Sequence, residues 1–161
     1  MNWIIRKSNK LSAHTYLGEI LKPLDEYIEL YNWIITDIDG GENLSELPID
    51  YEHDYFVLSA TDFRKILNGR FQFYWGIILA VPKFIDIKLD QDNLPYSEGN
   101  DMIWENSHIQ YQEAEIEIAC VDSSYTIVKL TKKELSDKFK TYFDEAITLD
   151  KFNSKKSSES K

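Results

Sequence analysis

An α+β fold is predicted: one mainly antiparallel sheet of about five to seven strands with two or three helices packed on one face. Three observations predict it. Strand-like runs follow one another directly through residues 71–89 and 113–130, leaving no room for the crossover helices that a parallel sheet needs. Only three stretches carry a helical apolar period. Hydrophobic residues make up 43% of the 161 and aromatic ones 14%, enough to fill one core without a disulfide or metal staple.

The elements follow in order. Residues 2–7 read as an edge strand. Ser12 can cap a helix that places Leu17, Ile20, Leu21 and Leu24 on one side, and Pro23 ends or re-sets it. Residues 30–38 form a second strand, broken by Gly40 and Gly41. A polar, acidic connection spans 42–54, and 55–58 is a short strand. Ser59 or Thr61 caps the next helix, with Phe63, Ile66 and Leu67 as its apolar stripe and Asn68-Gly69 as its stop.

Residues 71–81 are the clearest strand, with Phe71, Phe73, Trp75, Ile77, Leu79 and Val81 on one face by period two. Residues 84–89 alternate again, as its hairpin partner or its continuation. Residues 90–108 read as a loop. In residues 113–121 Ala114, Ile116, Ile118 and Cys120 point inward, and Glu113, Glu115 and Glu117 outward. A turn at 122–124 returns the chain as an antiparallel strand over 125–130. Thr131 and Glu134 suit a capping box for a last helix that buries Leu135, Phe139, Phe143 and Ile147. Residues 1–150 make one domain, and 151–161 a disordered Ser/Lys-rich tail.

Charge narrows the function classes. The net charge is −10 and the isoelectric point is near 4.7. Phosphate contacts need clustered Lys and Arg, so neither a nucleic acid nor an anionic membrane is an expected partner. No apolar run reaches the length of a membrane span. Cys120 is the single cysteine and reads as a small buried hydrophobe. With no secretory leader discernible before Arg6 and Lys7, a reducing, cytoplasmic setting is expected.

The acids are unevenly placed. Residues 37–62 hold eight of the 28 and no Lys or Arg; residues 84–128 hold ten against Lys88 alone. Glu113, Glu115 and Glu117 would repel one another along one strand face unless paired or solvated, and a basic partner is one use for such a row. The expected partner-binding residues are Asp37, Asp39, Glu42, Asp50, Glu52, Asp54, Glu113, Glu115 and Glu117, with Trp104 as an aromatic anchor. A homodimer through the Glu113 strand is a further expectation. The plain alternative is a regulatory or structural domain whose acids serve only solubility.

One motif suggests chemistry. The apolar run 34–36 leads into Asp37-Ile38-Asp39-Gly40, which resembles the strand end of the haloacid-dehalogenase-type phosphotransferases. That resemblance implies Asp37 as nucleophile, Asp39 as acid/base, Ser59 as the hydroxyl, Asp122 as a late carboxylate, and Mg²⁺ between the carboxylates. The chain departs from the pattern at Gly41, where that family carries Thr, and before Asp122, where it carries Gly-Asp. The expectation is therefore a solvated turn, no catalytic residue and no cofactor. His14, His53 and His108 are scattered without metal-ligand spacing, so no metal site is expected.

The acidic band on a small α+β domain resembles bacterial immunity proteins, which sit on basic toxin domains and block them. The run from Leu17 to Asp25, then Tyr31-Asn32-Trp33, then 116–130 before a Lys/Glu helix, is similar to an uncharacterised family from Bacillus-type bacteria. The first resemblance implies a protein-binding, non-enzymatic role; neither carries site residues over.

Overall fold

Residues 1–41 and 44–159 are described in the computed structural model, with the side chains of the last helix as far as Lys155. The chain runs through β1 (Asn2–Ile5), α1 (Leu17–Ile20), a 3-10 helix (Lys22–Leu30), β2 (Tyr31–Gly40), β3 (Tyr55–Leu58) and α2 (Ala60–Asn68). It continues through β4 (Phe73–Pro82), a short 3-10 turn (Asp101–Trp104), β5 (Ile116–Val121), β6 (Tyr125–Leu130), α3 (Lys133–Tyr142), β7 (Ile147–Thr148) and α4 (Leu149–Glu159). The strands form one sheet in the order β3-β2-β4-β5-β6-β1-β7, antiparallel at every pairing.

Helices α1, α2 and α3 and the long 3-10 helix cover one face, as their apolar stripes require. Trp33 of β2 stacks on Phe63 of α2 at 3.9 Å between ring centroids. Gly18 lets α1 approach the Leu67 carbonyl so closely that a Cβ there would collide with it. The Trp3 indole donates to Ser136 Oγ at 2.9 Å and ties α3 to β1. Ser59 caps α2, its Oγ accepting from Asp62 N.

The second face is also covered, and this is the main departure from the sequence expectation. Ile4, Ile34, Ile77, Leu79, Val81, Ala119, Val121 and Ile127 form a second core on that side. The irregular stretch 83–115 lies over it as a strap, contributing buried Ile103 and Ala114 and partly buried Ile85, Ile87 and Leu89. Residues 84–89 are therefore neither a hairpin partner nor a continuation of β4; their alternation serves the strap.

Helix α4 completes the cover. Leu149 and Phe152 are buried in the second core, and Phe152 stacks against Trp104 at 5.7 Å. The expected disordered tail from residue 151 begins instead as helix, because this aromatic pair needs it.

Other local expectations are corrected. β1 is not an edge, since β7 pairs outside it. Ser12 does not cap α1; its N–H and hydroxyl both donate to Glu19. The capping box at α3 does not form: Lys132 is the N-cap, Thr131 bonds the Glu115 carbonyl and Glu134 accepts from Tyr27. Ile147 lies in β7 and packs on the second core, not with Phe139 and Phe143.

β4 does not keep one face throughout. Phe71 and Phe73 lie in the helix-side core, while Trp75, Ile77, Leu79 and Val81 belong to the second. The switch falls at the register shift between Asp39 and Gly40, where Tyr74 is an extra residue in β4; a separate shift between Thr36 and Asp39 is a β-bulge that adds one residue to β2.

Phe152→Ala should lower stability by about 3 kcal/mol, as expected for a large ring lost from a packed site. Urea unfolding measures it, and an unchanged midpoint would mean that α4 does not hold the second core.

Candidate functional site

Asp37 is the bulge residue. Its φ of 55° is left-handed, a conformation that Asp tolerates better than most side chains. The bulge turns its carboxylate toward the strap. Asp37 Oδ2 accepts from Ser97 N at 2.7 Å, Ser97 Oγ at 2.8 Å and Glu98 N at 3.1 Å. Ser97 Oγ in turn accepts from Gly76 N of β4 at 2.9 Å. Next to it, Thr36 Oγ1 donates to the Pro95 carbonyl at 2.7 Å. A carboxylate engaged by two backbone N–H groups and a hydroxyl anchors the strap to the sheet.

This anchor joins the two acidic segments. β2 ends and β3 begins at the same end of the sheet, so the 44–54 connection lies there. Gln91 Nε2 donates to Tyr55 OH at 3.0 Å, which ties the 90–92 stretch of the strap to the first residue of β3, next in sequence to Asp54. The β5–β6 turn arrives too, with Ser123 N donating to the Tyr74 carbonyl at 3.2 Å. Asp122 and Ser123 both have left-handed φ, as mirror-image hairpin turns require. Asp39, Glu52, Asp54, Asp90, Asp92, Glu98 and Asp122 are all exposed here, and none forms an ion pair among the described residues.

Three tyrosines stand among these acids: Tyr51 is 56% exposed, Tyr96 47% and Tyr74 39%. The Tyr51 hydroxyl donates to the carbonyls of Gly40 at 3.0 Å and Gly41 at 2.9 Å, fixing its ring over the end of β2. Partial burial, with Asp39 and Tyr74 nearby, pushes that hydroxyl above its ordinary pKa. None of the three is the aromatic anchor expected from the sequence, Trp104; alternation puts Tyr74 on a strand face without saying that the face is open.

Asp50 turns back on its own loop. It accepts from the backbone N–H groups of Glu52 and His53 and from the His53 ring at 2.9 Å. The shared hydrogen bond raises the imidazole above its ordinary value of 6.5 and lowers the carboxyl. The pair's contribution is thus full between the ordinary carboxyl value of 3.8 and pH 6.5; it is lost as pH rises through the raised imidazole value and as pH falls through the lowered carboxyl value.

Several expected site residues lie elsewhere. Glu42 falls outside the described residues. Glu113 precedes β5 at the opposite end of the sheet, and Glu115 is half-buried, bridging Lys132 at 2.7 Å and accepting from Tyr31 OH at 2.7 Å. Glu117 is fully buried beneath the strap, 3.2 Å from Lys129 Nζ across the β5–β6 pair. Its Oε2 accepts from Gln110 N at 2.6 Å, and Lys129 Nζ donates to the His108 carbonyl at 2.6 Å. The exposed ladder of three glutamates does not exist, because the face it was to occupy is covered. β5 is also central, so it offers no dimer edge. Trp104 packs on Phe152 and Tyr125 and is only partly exposed, a core ring and not a surface anchor.

The strand-end resemblance to phosphotransferases fares poorly on geometry. β2 lies between antiparallel neighbours, and the Asp37 oxygen meant for attack is already bonded three times. Among the described residues no cluster of His, Cys, Asp and Glu is arranged to hold a metal ion. Cys120 is fully buried, which pushes its thiol far above the ordinary value. No described helix is long and apolar enough to cross a membrane.

Two variants test these assignments. Lys129→Met should cost about 3–5 kcal/mol by leaving Glu117 charged and buried, and adding Glu117→Leu should recover most of it; equal losses in the single and double variants would refute the coupling. Asp37→Asn should cost about 1–2 kcal/mol and speed amide exchange at Ser97 and Glu98. Mg²⁺-dependent phosphatase turnover that this variant abolishes would restore the catalytic reading.

No family model, no curated protein and no solved structure matches the chain.

Proposed function

We propose that this chain is a protein-binding module for a basic protein surface, and that it serves as an immunity protein, blocking a basic toxin domain by electrostatic and steric occlusion. The observation that carries this reading is the meeting of two acidic segments around the Asp37–Ser97 anchor, with Tyr51, Tyr74 and Tyr96 exposed among unpaired carboxylates.

The physics suits that role. Unpaired carboxylates on one end of a molecule with net charge −10 speed the encounter with a basic surface and reject acidic ones. Tyrosines supply contact area with little conformational entropy to lose. Hydrogen bonds tie this end together: the bulge to the strap, and both the strap and the hairpin turn to β4. The binding residues are then Asp39, Glu52, Asp54, Asp90, Asp92, Glu98 and Asp122 with the three tyrosines, a set that keeps three of the expected acids and drops the Glu113–Glu117 row.

The test is co-expression with the basic C-terminal domain of a large secreted protein encoded beside this chain, read as rescue of growth and as association rate. Replacing Asp39, Asp54 and Asp92 together by Lys should slow association by about tenfold or more at low salt and abolish rescue. Glu113→Lys, at the far end of the sheet, should change neither. Equal effects of the two sets, or no binding to any basic domain, would sink the proposal.

A further inference from the structure

The sheet has two edges and they differ. β7 is two residues long, so that edge is blunt. β3 is four residues, Tyr55-Phe56-Val57-Leu58, without the Pro or Lys that usually guards an edge. Its partner β2 lies on one side only. Among the described residues no backbone group other than those of β2 bonds to it.

The direction of its free groups follows from the ladder. Lys83 N donates to the Leu30 carbonyl at 3.1 Å, so Leu30 points its backbone toward the β4 side. Backbone groups alternate along an antiparallel strand. Ile34 and Thr36 therefore bond toward β4, and Trp33 and Ile35 toward β3. Trp33 is opposite Leu58 and Ile35 opposite Phe56, so those two residues of β3 spend their groups inward. Tyr55 and Val57 are left with N–H and C=O aimed outward. Val57 is 47% exposed and shares a face with Ile34 at the rim of the second core.

The charges around this edge select its occupant. Asp54 adjoins its first residue, and the Gln91–Tyr55 bond ties to it the strap segment that carries Asp90 and Asp92. A second copy of this chain would bring the same acids against themselves. An extended basic segment meets both needs, its backbone completing the edge and its Lys or Arg side chains reaching the carboxylates.

We infer that β3 is the docking edge for an extended, basic segment of the partner, which adds an eighth strand to the sheet beside Tyr55 and Val57. The inference rests on the basic-partner reading above and specifies its mode of contact.

The probe is an end-capped peptide of alternating Lys and Val, titrated into the full chain and followed by amide chemical shifts. Shifts should centre on residues 55–58. N-methylation of the peptide at alternate residues, which removes the N–H groups one edge of the strand presents, should weaken binding by about tenfold or more, the worth of one or two lost hydrogen bonds. Val57→Pro removes an outward N–H without touching the β2 ladder and should weaken binding to a similar degree. Val57→Lys, which keeps the backbone intact and places like charge at the edge, should do so even if the proline variant folds poorly.

An N-methylated peptide that binds as well as its parent overturns strand addition and leaves the basic-partner reading standing. No binding of the parent peptide, or shifts away from β3, also overturns it. Binding unchanged when Asp39, Asp54 and Asp92 are replaced by Lys would instead remove the electrostatic reading beneath it.

Discussion

The Asp37 carboxylate holds the strap to the sheet, and the shape of the acidic end depends on that contact. One extra residue in β2 puts Asp37 into a left-handed conformation and aims its side chain at the backbone of Ser97 and Glu98. Without the bulge, strict alternation would carry Asp37 to the helix-side face. The strap would then lose its anchor at this end of the sheet, and its acids would not converge with those of the 44–54 connection. A feature that looked like a nucleophile at a strand end is a tether, and the tether gathers the surface on which the proposed function rests.

A second consequence of the strap is that the sheet is buried on both faces. That explains the Glu117–Lys129 pair. The two are directly opposite on β5 and β6, on a face the strap closes over, and the segment 108–110 supplies the remaining partners. Such a pair adds little net stability compared with an apolar pair of the same shape. Its bonds from Gln110 N and to the His108 carbonyl tie the strap to the sheet at this crossing.

Much of the fold was legible. Every strand of the sheet except β7 follows from alternation and turn residues, and α2 follows from Ser59, its apolar stripe and Asn68-Gly69. The antiparallel order follows from the lack of crossover helices. What failed shares one cause: alternation marks two faces without saying what covers each. The polar residues of β5 were read as facing solvent, when a strap with few periodic apolar residues of its own covers them. Phe152 was read as tail because Ser and Lys surround it, and one aromatic ring facing Trp104 decides otherwise. The acidic cluster was half legible. Sequence shows two acidic segments, but only Asp37 and Tyr55, bonded across the strap, show that they meet.

The open edge and the acids are best understood together. An unguarded edge strand invites pairing with any extended chain, including another copy of itself. Proteins usually close such an edge with Pro, Lys or a covering loop; β3 contains neither Pro nor Lys, and among the described residues no backbone outside β2 bonds to it. It has Asp54 next to its first residue and the strap segment with Asp90 and Asp92 tied to Tyr55, in a chain of net charge −10. Like charge opposes a second copy at the edge while leaving the backbone groups of Tyr55 and Val57 unblocked. The same carboxylates that discourage self-pairing would attract a basic strand. On the proposed reading, selectivity would come from repulsion of the wrong chain as much as from attraction of the right one, and charge at the flank would do what proline within the edge does elsewhere.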